Sequence, residues 1–283
     1  MNRLQWESFC NFKNDFKKKV DEWTEKAPEL SRLQKSAVEK AKAPLYPFET
    51  TVVYNKALDD VSESDDIKLI VIGDNPGKDE QLKKNNRYLV GQAGKIAEGY
   101  FRRNPELNID FRKNVIILNK TPIHSGKTAQ LKTIASIGGE KIRNLIQESQ
   151  IRKAERTAQL HVELCLGAMA KSEDYNSVAP EIWLVGYSEL KNKGIFSEYR
   201  NFLKKIYFSD STLEIISSTF ANEKFNISDL WEKVLVFQHF SMNRFSIDLG
   251  DFIKKNSLGQ SEKTLEENIH ILGKIHREEI FND

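Results

Sequence analysis

Three short segments of the chain place polar groups directly after runs of apolar, β-branched residues. Asp74 and Asn75 follow Lys68–Ile72, inside the turn Gly73-Asp74-Asn75-Pro76-Gly77; Asn119 follows Val115–Leu118; His239 follows Lys233–Phe237. Between them a carboxylate, two amides and an imidazole can orient a water molecule, read a hydrogen-bonding edge and donate to developing negative charge. Two glycines and a proline make the first turn tight and rigid, and backbone N–H groups can converge in such a turn. A lone histidine or a lone Gly-Pro turn is ordinarily structural. Three strand ends delivering these groups to one crevice is more than packing requires.

That convergence depends on the runs being neighbouring strands. Lys68–Ile72, Val115–Leu118, Ile182–Val185 and Lys233–Phe237 each read as a strand buried on both faces. Ala93–Arg103, Gly139–Gly167 and Ser197–Tyr207 lie between them and are long enough for crossover helices, so the order is βαβαβαβ. The expected fold is α/β, a three-layer α/β/α arrangement around a central, mainly parallel, four-stranded sheet. Ligands of such sheets sit beyond the carboxyl ends of the strands, where the polar groups fall. Residues 1–45 read as an N-terminal helical arm and 46–283 as the α/β domain. In the arm Phe9, Phe12, Phe16, Val20 and Trp23 step by three and four, the spacing of a helix face buried against the domain.

Composition narrows the function classes. Lys and Arg number 43 against 41 Asp and Glu, a net charge of +2, so any nucleic-acid face must be local. Cys10 and Cys165 are too few for a disulfide framework, a structural zinc site or an iron–sulfur cluster, and the expectation is two reduced thiols with no metal and no cofactor. No apolar run approaches the length of a bilayer span, and the first residues lack the apolar core of a signal peptide, so a cytoplasmic chain is expected. Ser125-Gly126-Lys127-Thr128 looks like the end of a phosphate-binding loop. Thr121 stands where that loop needs a glycine, and no later strand ends in an Asp suited to magnesium, which argues against nucleoside triphosphate hydrolysis.

In order and spacing, Gly73–Gly77, Leu89-Val90-Gly91-Gln92-Ala93-Gly94, Asn119 and His239-Phe240-Ser241 resemble the motifs of the uracil-DNA glycosylase superfamily, over about 170 residues. Val90–Gly94 resembles the F-V-G-P-A-G segment of the thermophilic-type, iron–sulfur branch. Asn75-Pro76-Gly77 resembles the G-x-N-P-G motif of the mismatch-specific and single-strand-selective branches, and Tyr54-Asn55 is similar to a Y-N-P segment of the latter. The chain departs from the pattern in lacking the four cluster cysteines, in having Leu89 beside Tyr88 where a stacking Phe is expected, and in having Phe240 in place of the proline of H-P-S.

The resemblance implies a monofunctional enzyme that flips a base out of DNA and hydrolyses the N-glycosidic bond of uracil, or of a related deaminated or modified base, leaving an abasic site. It assigns His239 to the base oxygen that gathers negative charge, and Asp74 or Asn75 to the attacking water and the cationic sugar. Base binding falls to Gly73 and Asn119, with Tyr88 or Leu89 stacking on the base. Lys83, Lys84, Arg87, Lys127, Ser241, Met242, Asn243 and Arg244 are assigned to DNA, with Met242 or Phe245 as the wedge that fills the vacated stack. The implied partner is DNA bearing an altered base, met by a monomer without a membrane. A member that binds DNA without cleaving it, or one acting on a different modified base, is the alternative that the departures at Leu89 and Phe240 permit.

Overall fold

The computed structural model describes residues 1–169, 179–210, 212, 227–256 and 263–282. Aliphatic, largely β-branched residues fill four strands, β1 (Leu69–Gly73), β2 (Val115–Asn119), β3 (Glu181–Val185) and β4 (Val234–Phe237), in which every residue but Glu181 is buried. All pairings are parallel, in the order β2-β1-β3-β4. Burial on both faces explains why these runs carry no polar alternation. Helices flank the sheet and complete the three-layer α/β/α architecture.

Among the described residues the helices are α1 (Arg3–Lys26), α2 (Leu30–Lys40), α3 (Gln92–Arg103), α4 (Ala129–Ile137), α5 (Gly139–Met169), α6 (Tyr187–Leu190), α7 (Ser197–Tyr207), α8 (Ile227–Glu232), α9 (Arg244–Asn256) and α10 (Leu265–Phe281). None is long and apolar enough to cross a membrane. From β1 the chain moves outward to β2, then returns to lay β3 on the other side of β1. The direction reverses between β1 and β3, and a crevice opens at the carboxyl edge of a parallel sheet at such a point.

The aromatic stripe of α1, Phe9, Phe12, Phe16 and Trp23, is at most 3% exposed and belongs to the same apolar cluster as the sheet. It packs on α5, which also carries a buried polar row at four-residue spacing: Ser149, Lys153, Thr157, His161 and Cys165. The Ser149 hydroxyl lies 2.7 Å from that of Thr121, beyond β2. His161 bonds the Tyr207 hydroxyl at 2.6 Å and the Pro180 carbonyl, just before β3, at 2.9 Å. Among the described residues the Lys153 ammonium has no hydrogen-bond partner; it sits 3.8 Å from the ring centroid of Phe16, and burial pushes its pKa down to about 7.

Candidate active site at the carboxyl edge of the sheet

Because the strands are parallel and in register, Gly73 of β1 lies beside Asn119 of β2, and Val185 of β3 beside Phe237 of β4. The residues that follow them, Asp74, Lys120, Gly186 and His239, therefore gather along one edge. Asp74 sits at the switch between β1 and β3. A Cβ on Gly186 would lie 2.3 Å from Asp74 Oδ1, and Gly186 holds φ +100°, so only glycine lets the carboxylate occupy this place.

The Asp74 carboxylate is paired. Lys120 Nζ donates to its Oδ1 at 2.6 Å and to the Val185 carbonyl at 2.5 Å, and the Thr128 hydroxyl donates to Oδ2 at 3.3 Å. The Lys120 side chain is fully buried, with its ammonium 5.0 Å from the ring centroid of Phe196. Burial lowers the Lys120 pKa, and Asp74 opposes that shift by charge and hydrogen bond. This lysine was absent from the sequence reading. The signal for it was its place two residues after the apolar run Val115–Leu118, at a strand end where a buried charge needs a counter-charge.

His239 follows β4 with its orientation set by its own loop. The Ser241 backbone N–H donates to His239 Nδ1 at 3.0 Å, and the Ser241 hydroxyl lies 2.8 Å from the same nitrogen. With Nδ1 accepting, the neutral ring carries its proton on Nε2. Burial lowers the His239 pKa, Asp74 raises it and Lys120 lowers it, with a net downward shift that favours the neutral ring. The field of the Asp74–Lys120 pair thus reaches His239.

Asn119 is 2% exposed and its Nδ2 is buried without a hydrogen-bond partner among the described residues. A Cβ on Gly73 would lie 2.5 Å from Asn119 Oδ1, so Gly73 serves by its lack of a side chain, making room for the amide. Asn75 turns its Nδ2 to the Ser125 hydroxyl at 2.9 Å and to the carbonyls of Ser125 and Pro76. The amide donor thereby ties the turn to the loop after β2 and leaves Oδ1 as the group that could meet water.

The turn itself is clamped. Glu80, 8% exposed, accepts from the Gly77 N–H at 2.9 Å and from the Leu89 N–H at 2.8 Å, and burial raises its pKa to about 7. His124 lies 2.8 Å from the Pro76 carbonyl through Nδ1 and 2.9 Å from the Tyr46 hydroxyl through Nε2; burial lowers its pKa to about 4. A neutral ring donating from Nδ1 and accepting at Nε2 satisfies both contacts.

No family model matches the chain, and no curated protein or solved structure matches it either. The site's chemistry therefore rests on its own geometry.

Two expectations for base stacking meet burial instead. Tyr88 is 1% exposed, its hydroxyl donates to the Val53 carbonyl at 2.6 Å, and it lines a cavity of about 400 Å³ against the flank of β2, so its ring is a core element and offers no face for a base. Leu89 is 4% exposed and held at φ +50°. Its N–H is tied to Glu80 and its carbonyl to Arg112 at 2.8 Å, which makes it a fixed corner of the wall. Phe245 is 2% exposed among Tyr100, Trp183, Phe237 and Phe240 and cannot act as a wedge.

Met242 is 71% exposed and, with Asn243, holds positive φ, of +54° and +56° respectively. Each such non-glycine residue costs about 1 kcal/mol or more. Buried Phe240 anchors this loop from below. Lys83, Lys84, Lys127, Asn243 and Arg244 are exposed on loops or helix starts that follow β1, β2 or β4. Ser241 faces His239, so its hydroxyl serves the imidazole first. Arg87 pairs with Asp60 at 2.5 Å across the cavity beside β2, away from the rim expected of it. Among the described residues no group of three His, Cys, Asp or Glu side chains could hold a metal.

Proposed function

We propose that the chain is a monofunctional DNA glycosylase of the uracil-DNA glycosylase superfamily, acting on uracil or a related deaminated or modified base. The observation that carries this reading is the convergence at the carboxyl edge of the sheet of three groups: a largely buried Asp74 carboxylate, a His239 whose accepting Nδ1 leaves the proton on Nε2, and a buried Asn119 amide donor with no hydrogen-bond partner among the described residues.

Cleaving the bond between a pyrimidine and deoxyribose stretches it toward a cationic sugar and an anionic base, which a water then captures. Such a reaction depends on positioning and electrostatics more than on covalent help. In this reading His239 Nε2–H donates to the base oxygen on which charge accumulates. Asp74, held by Lys120 and Thr128, faces the cationic sugar and aligns the water, with Asn75 Oδ1 as a second acceptor. The water oxygen bonds to the sugar carbon as the base departs with the bond electrons, and the water proton passes to solvent or to the departing base. In this reading the wall over the buried Asn119 gives way to the flipped base and the amide donates to a base carbonyl, a contact that an exocyclic amine at the same place would lose. Met242 enters the stack, and Lys83, Lys84, Lys127 and Arg244 meet phosphates. The protein acts as a monomer in the cytoplasm, with DNA as its partner.

One observation favours a protein that binds DNA without cleaving it: Lys120 and Thr128 already engage both oxygens of Asp74. The deciding experiment is a panel of labelled oligonucleotides bearing uracil, hypoxanthine, xanthine and other altered bases, incubated with protein and treated with alkali to cut abasic sites. Cleavage at one altered base supports the proposal. Binding across the panel with no alkali-labile product supports the non-cleaving reading.

A further inference from the structure

Between the arm and the segment that leads into the sheet lies a second groove of about 480 Å³. The half-buried ring of Phe48 forms one wall, stacked at 4.4 Å on Tyr46. Lys56, Lys83 and the amide-bearing Asn86 line the groove as well, and Thr24 of α1 and Ser31 of α2 bring hydroxyls from the arm. Both lysines are exposed. Glu49, the one carboxylate in the lining, turns Oε2 to the Lys83 backbone N–H at 2.6 Å.

The groove is joined firmly to the candidate active site. The buried Gln81 side chain holds the Pro47 carbonyl at 2.7 Å, the Glu49 N–H at 2.7 Å and the Lys78 carbonyl at 3.0 Å, which fixes the groove wall to the loop leaving the Gly73–Gly77 turn. Tyr46, behind Phe48, reaches the same turn through His124 and Pro76.

An aromatic face, two ammonium groups and a set of hydroxyls and amides match an unpaired nucleotide: its base has a free π-face to stack, and its phosphates meet lysine. Paired bases within a duplex have no such face to offer. We propose that this groove binds unpaired nucleotides flanking the target base, so that the arm and the α/β domain together hold single-stranded DNA. The inference rests on the glycosylase reading for the identity of the nucleic acid.

The test measures fluorescence anisotropy with undamaged single-stranded and duplex oligonucleotides of equal length. Phe48→Ala should weaken single-strand binding about 5- to 150-fold, the range for losing one stacked base, and change duplex binding less than about twofold on the same scale. Phe48→Leu keeps an apolar side chain without the π-face; its circular dichroism and melting must match the wild type, and it should weaken single-strand binding in the same direction. A Lys56→Ala/Lys83→Ala variant should bind single strands with a shallower salt dependence. Unchanged single-strand affinity in folded Phe48→Leu, or an equal loss on both substrates, overturns the proposal. Because the oligonucleotides carry no altered base, a protein that cleaves nothing yet shows this discrimination loses only the glycosylase reading, and one that cleaves while Phe48 is neutral loses only the groove.

Discussion

Replacing Lys120 by Met keeps the length of the side chain and removes its charge. In the wild type the ammonium satisfies Asp74 Oδ1 and the Val185 carbonyl from a side chain with no exposure, against 12% for Asp74. Without it a largely buried carboxylate stands alone beside an unpaired carbonyl, which costs about 3–5 kcal/mol when one partner of a buried pair is removed. That is a large part of the roughly 5–15 kcal/mol that holds a domain folded. Asp74→Asn should cost less, because burial already lowers the Lys120 pKa and the amine can lose its proton once the carboxylate is gone. Removing both charges, in Lys120→Met/Asp74→Asn, should recover about 2 kcal/mol relative to the sum of the single losses. Urea unfolding followed by far-ultraviolet circular dichroism, with unchanged m, reads all four proteins. If the double variant shows the sum of the two single losses to within about 0.5 kcal/mol, the pair is not coupled and the electrostatic account of the site is wrong.

His239→Ala should lower single-turnover cleavage on the order of 100-fold with DNA affinity nearly intact, since the lost donor acts on charge present only in the transition state; equal rates would remove the leaving-group role. Glu80, with its pKa raised from 4.5 to about 7 by burial, contributes stability below its unfolded pKa that is lost as pH rises through about 7. Between pH 5 and 8 the wild type should therefore lose up to about 3 kcal/mol relative to Glu80→Gln, and parallel urea midpoints would show that Glu80 does not titrate there. Lys153→Met should stabilise the fold by about 1–4 kcal/mol, because the ammonium is buried without a hydrogen-bond acceptor; a lower melting temperature would show that the Phe16 contact outweighs desolvation. DNA affinity should fall steeply between 50 and 200 mM salt, values typical of such titrations, if Lys83, Lys84, Lys127 and Arg244 meet phosphates; a flat profile would leave them as solvated surface.

The sheet was legible in the sequence because strands buried on both faces must be continuously apolar, and Leu69–Gly73 and Val115–Asn119 announce themselves in that way. The strand-end residues followed, since parallel strands separated by helices bring their carboxyl ends to one edge. What escaped depends on contacts between segments far apart in the chain. Lys120 finds Asp74 46 positions away and Val185 65 positions away, and no local pattern encodes either partner. Gly186 carried no motif, and its necessity appears only once Asp74 is seen against it. Tyr88 and Leu89 misled because likeness to a motif reports neighbourhood and not which way a ring points. The Val53 carbonyl that claims the Tyr88 hydroxyl lies 35 residues earlier.

The polar row along α5 bears on the crevice without touching it. Its members run hydroxyl, ammonium, hydroxyl, imidazole, thiol, one per turn, and three of them meet different neighbours: Ser149 the Thr121 hydroxyl, Lys153 the Phe16 ring, and His161 the Tyr207 hydroxyl and the Pro180 carbonyl. Sliding the helix by one turn would set a hydroxyl against the Phe16 ring and an imidazole where Thr157 had been, so these three contacts would be lost together. The row works as the notches of a key, admitting one register. Thr121 just beyond β2 and Pro180 just before β3 are both hooked to that key. The spacing of the two strands that flank β1 is thereby gauged by a helix with no residue in the chemistry.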